Sequence, residues 1–215
     1  MPFVVTALVA VTGCDDDDHG DEHDDDHGHE HPEVMSRVEL VFQPADGGAP
    51  INIVWEDSDG DAGPAEPVID PIELTVGTEY TLGLSFKNTL DGLNNDITPE
   101  IRDEAEEHFV LLYGDIVMGP AAAGASPLIH HAYADLESTY GPNEVGEDLP
   151  VGLSNQIMVV APGTGELRLM LRHMPPLNGT PQKTPDVPDQ FVAGEQIAGD
   201  VDVDIRFPFT SVAAG

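Results

Sequence analysis

The sequence holds a single cysteine, and only 7 basic residues against 41 acidic ones. One cysteine excludes an internal disulfide and a thiolate metal cluster. So few Lys and Arg, with a formal net charge of −34, exclude nucleic acid as a partner and make anionic lipid a poor one. Cations are the natural ligands of such a chain. The N-terminal apolar stretch from Phe3 to Val11 is too short to cross a bilayer as a helix. Catalytic signatures are also missing. No Ser-centred glycine elbow, phosphate-cradling glycine loop or His-Glu-x-x-His run occurs, and Ser126 and Ser154 lie in no nucleophile motif. The chain is therefore expected not to be an enzyme.

The one cysteine stands in an informative place. Val11-Thr12-Gly13-Cys14 closes the apolar stretch, and this run resembles a bacterial lipobox. No Lys or Arg precedes it. On this reading residues 1–13 are a lipoprotein signal peptide, and Cys14 becomes a lipidated N-terminus that holds the protein to a membrane without a spanning helix. Residues 15–31 contain only Asp, Glu, His and Gly. Such a segment cannot bury apolar surface, so residues 14–34 are expected to form a disordered, acidic, His-rich tether.

From residue 35 the composition becomes ordinary, and residues 35–211 are long enough for one domain with one core. Val38, Leu40 and Phe42 alternate with more polar residues, which predicts a strand with one buried face. Ile51 to Trp55 reads as its hairpin partner across a turn rich in Pro, Gly and Asp. Further strands are expected at 72–76, at 80–86, at 109–113 as a continuously buried run, and at 129–136, 153–161, 166–174 and 200–209. A short helix is predicted from Thr98, with Thr98 as N-cap and Pro99 in the first turn, through about Glu107. Eight or nine strands separated by turns, with one short helix, predict an all-β fold: an antiparallel β-sandwich of the Ig-like or Greek-key type.

Several residues could hold a metal. His19, His23, His27, His29 and His31 alternate with carboxylates in the tether, and neutral imidazole is the commonest protein ligand for Zn2+, with Cu2+ and Ni2+ also served. A disordered segment is expected to bind such ions weakly, because it loses entropy each time it orders. Alternatively, the tether is a charged spacer. In the predicted helix, Glu104, Glu107 and His108 stand at i, i+3 and i+4, on one face. His173 continues the Leu167-Leu169-Leu171 face toward the mouth of the core. Each of the two histidines has an ordinary reading beside the functional one: His108 as a local partner of Glu104, His173 as a core histidine bonded to a carbonyl. If the fold joins them, two His and one or two Glu make an open three- or four-ligand site suited to zinc. His130 and His131 point to opposite faces of a strand, so at most one could contribute. Asp57-Ser58-Asp59-Gly60-Asp61 resembles the opening of a Ca2+ loop, but Val68 stands where the bidentate Glu belongs, and an acidic loop is the default reading.

A family resemblance joins these pieces. Cys14 with its acidic run, Asp96 through Phe109, Pro150 through Leu153, Gly165 through Pro175 and Gly199 through Phe207 resemble a group of small bacterial envelope lipoproteins with a single β-sandwich domain. Some members carry the label "type 1 periplasmic binding fold superfamily protein", and their genes often stand beside TonB-dependent outer-membrane transporters. The resemblance implies an outer-membrane lipoprotein, on the periplasmic or the surface face, engaged in metal or small-ligand acquisition. The expectation is thus a lipid-anchored envelope protein that binds divalent transition metal, zinc first, for uptake or buffering. The alternative is a non-enzymatic structural or interaction lipoprotein, accessory to an outer-membrane transporter.

Overall fold

Two β-sheets face each other across a shared apolar core. The computed structural model describes residues 34–60, 65–90, 94–144 and 146–214, all within the unit Pro32–Gly215. The signal peptide, Cys14 and the tether histidines lie outside the described residues.

The larger sheet is built from β1 (Arg37–Pro44), β2 (Ile51–Glu56), β3 (Val68–Ile69), β5 (Glu79–Asn88), β6 (Asn95–Asp96), β8 (Val117–Gly119), β9 (Ala122–Ala123), β10 (Ile129–Tyr133) and β11 (Ser154–Val159). Its order is β3-β2-β1-β5-β11-β10-β8-β9, with β6 paired to β5. The smaller sheet, ordered β4-β13-β12-β7, contains β4 (Ile72–Thr75), β7 (His108–Tyr113), β12 (Gly163–His173) and β13 (Asp200–Val212). Pairing is antiparallel except at β8–β10 and β4–β13. The predicted sandwich is the fold observed, and the predicted hairpin pairs β1 with β2, Phe42 opposite Ile51.

Alternation explains which side chains enter the core. Val38, Leu40 and Phe42 of β1, Tyr80, Leu82, Leu84 and Phe86 of β5, Leu167, Leu169 and Leu171 of β12, and Ile205, Phe207 and Phe209 of β13 are all buried in one cluster. Strand β7 does not alternate, because both of its faces are covered. Val110 and Leu112 enter the main core, while Phe109 and Leu111 join a second cluster with Met170, Met174, Val187 and Ile197. Its outer edge is met at one point by the loop before β11: the Val110 N–H donates to the Val151 carbonyl at 2.8 Å. Gly152 allows this approach. It has φ +86°, and a Cβ there would lie 2.9 Å from both Val110 Cβ and Val110 O.

The helices differ from expectation. Helix α1 spans Thr98–Asp103 and stops four residues early. Thr98 is not its N-cap. Ile97 occupies that position, and the Thr98 hydroxyl bonds the Phe86 backbone, accepting from its N–H at 2.9 Å. A second helix, α2 (Val187–Ala193), covers the second cluster and ends at Gly194, whose φ is +71°.

Candidate metal centre at the β7–β12 edge

Antiparallel register brings His108, the first residue of β7, opposite His173, the last of β12. The same register places Val110 opposite Leu171, so both histidines continue the core-facing rows of their strands. Their rings stack with centroids 4.6 Å apart and planes 3° from parallel.

The carboxylates come from the chain between α1 and β7. Glu104 is the C-cap of α1 and not a mid-helix residue, and a tight turn follows it. The i, i+4 relation with His108 therefore survives as a turn: the His108 N–H reaches the Glu104 carbonyl at 3.2 Å. The His108 Nδ1–H donates to the same carbonyl at 3.2 Å, with Glu104 Oε2 3.9 Å away. A carbonyl can only accept, so the neutral ring carries its proton on Nδ1 and its lone pair on Nε2. Glu107 Oε2 lies 3.4 Å from His173 Nε2, and the Glu107 carbonyl accepts the Met174 N–H at 2.6 Å. One ligand atom each from Glu104, His108 and His173 lies within 4.8 Å of the others, the one such group of His, Cys, Asp and Glu among the described residues.

Burial differs sharply across this group. The side chain of His108 is 0 % exposed, that of His173 20 %, and that of Glu104 43 %. Burial, together with the neighbouring His173 and Lys183, holds the His108 pKa down at about 4, against the opposing pull of the Glu104 carbonyl. His108 is therefore a neutral imidazole at physiological pH, the form that binds metal. Stacked rings keep their nitrogen lone pairs in parallel planes. A tetrahedral ion between them requires one ring to tilt, and His173 is the one at the surface. Three donors leave a fourth position, which Glu107 or water can take.

Two supporting residues escaped the sequence reading. Lys183 is buried, pairs with Glu137 at 2.8 Å and donates to the Ala105 carbonyl at 2.7 Å, which pins the turn between Glu104 and Glu107 from beneath. Asp202 is the extra residue of a bulge in β13, between Val201 opposite Arg172 and Val203 opposite Leu171. Burial pushes its carboxyl pKa up to about 6, against the opposing pull of His173. Nothing in Asp200-Val-Asp-Val-Asp204 distinguishes it from its two neighbours, whereas Lys183 was detectable as one of few bases in a Pro-rich stretch.

The remaining candidates stand elsewhere. His131 is buried, with Nε2 2.9 Å from Asn155 Oδ1, while His130 is exposed on the opposite face. Asp57 serves as a turn anchor, its Oδ1 accepting from Gly60 N–H at 3.1 Å, and Asp61 lies outside the described residues. Cys14, His19, His23, His27, His29 and His31 are likewise outside them. No family model, curated protein or solved structure matches the chain.

Proposed function

We propose that this protein is a lipid-anchored envelope protein that captures divalent transition metal, zinc first, for uptake or buffering. The observation that carries the reading is the convergence of Glu104, His108 and His173, with Glu107 beside His173. A buried neutral imidazole, a second imidazole at the surface and flanking carboxylates form a borderline N/O donor set that suits zinc better than calcium. The tether histidines collect ions loosely, and the domain holds one ion in a defined place. The acidic surface raises the local cation concentration for both. The resemblance to envelope lipoproteins encoded beside TonB-dependent transporters supplies the setting, with such a transporter as the proposed partner.

Equilibrium dialysis against zinc, with elemental analysis of the full chain, tests this. A variant with Ser at positions 19, 23, 27, 29 and 31 is expected to retain one zinc, and His173→Ala in that background to lose it. Retention of no zinc by the tether variant, or of the same zinc after His173→Ala, overturns the reading.

A further inference from the structure

Five methionines lie among the described residues. Met35, Met170 and Met174 are buried, whereas Met118 and Met158 are 41 % and 38 % exposed. The two exposed ones occupy a single row of the larger sheet. His130 of β10 is the register partner of Met118 in β8 on one side and of Met158 in β11 on the other. His130 is also the one exposed histidine among the described residues. The adjacent row, Val117–Ile129–Val159, is buried in the core. Alternation therefore turns Met118, His130 and Met158 together to the outer face. Ala123 follows Met118 in the same row, and Glu79 follows Met158.

Partly exposed thioethers gain less stabilisation from burial than the three enclosed methionines do. Their chemistry offers another use. In the antiparallel pair Met158–His130 the Cβ atoms are expected about 4.5–5.5 Å apart, Met118 is the parallel-register neighbour on the other side, and the three rotatable bonds of Met allow both sulfurs to reach an ion held at a ring nitrogen of the central imidazole. Two thioethers and one imidazole are a soft ligand set, which selects Cu(I) over zinc or calcium. No carboxylate lies among the three.

We propose that Met118, His130 and Met158 form a site for a soft monovalent metal, Cu(I) or its analogue Ag(I), on the outer face of the larger sheet. The site shares no residue with the Glu104–His108–His173 group, so either can fail without the other.

The test is silver(I) titration of the full chain labelled with 13C at the methionine methyls, carried past the equivalents that the tether histidines absorb. Met118→Leu and Met158→Leu assign the two signals and conserve volume at exposed positions. The Met118 and Met158 methyls are expected to shift together, while those of Met35, Met170 and Met174 stay in place. Met118→Leu or His130→Asn should abolish the shift of Met158, whereas His173→Ala leaves it intact. Absence of a shift at both, equal shifts at all methionines, or a Met158 shift unchanged by Met118→Leu and His130→Asn overturns the proposal.

Discussion

His108 ties the stability of the domain to acid pH. Its folded pKa of about 4 lies below the ordinary histidine value of 6.5. Between those two values the unfolded chain takes up a proton that the folded chain does not. The contribution of His108 to stability is therefore complete above pH 6.5 and is lost as pH falls toward 4. At about 1.4 kcal/mol per pH unit the loss amounts to about 3 kcal/mol. Asp202 acts in the opposite sense. Its carboxyl, raised to about 6, favours the folded state at low pH and loses that contribution as pH rises from 3.8 to 6. Denaturant titrations of metal-free protein should show that His108→Gln loses less stability than the natural chain as pH falls from 6.5 to 4, so that the difference between the two narrows in acid. Superimposable pH profiles for the two would mean that His108 is not held neutral by the fold.

At the scale of elements, the turn between α1 and β7 is what makes a site from two strand ends. It is held by the buried Lys183–Glu137 pair, whose side chains are 1 % and 3 % exposed. Removing one partner strands the other charge in the interior. Lys183→Met should cost about 3–5 kcal/mol by denaturant unfolding, and Glu137→Leu added to it should recover much of the loss. An additive double variant would show that the two residues do not act as a pair. Most of the strands were legible because a buried face writes itself as period two, as in Val38-Leu40-Phe42 and Leu167-Leu169-Leu171. The pairing of His108 with His173 was not written there, since register depends on which strands become neighbours. Helix α1 was read too long because Glu104 to Glu107 has helical composition, yet the chain must turn there to place His108 in β7. Helix α2 was missed inside a run of prolines, although Pro188 near its start and Gly194 at its end are the usual boundary signals. Thr98 was read as a cap from local sequence, and only the packed β5 strand shows why its hydroxyl is taken by Phe86.

At the scale of the whole molecule, the proposal divides labour between a tether and a domain. The charge of −34 draws cations to both, and that attraction weakens as salt rises. The proposed lipid anchor is Cys14. Cys14→Ser should yield a protein that stays in the aqueous phase on detergent partitioning, whereas equal partitioning of the variant and the natural chain would remove the anchor from the account. The central claim is that the fold itself holds a metal at Glu104, His108 and His173. An ion bound by the folded state and not by the unfolded chain stabilises the fold by about 2.7 kcal/mol at a hundredfold excess over Kd, and so raises the unfolding midpoint. Loose binding to the tether, available in both states, adds nothing to that shift. The most direct test is calorimetric unfolding of the full chain with and without zinc, beside His173→Ala. The account predicts a saturable rise in midpoint for the natural chain and none for the variant. A natural chain indifferent to zinc, or a rise that survives in His173→Ala, would contradict it.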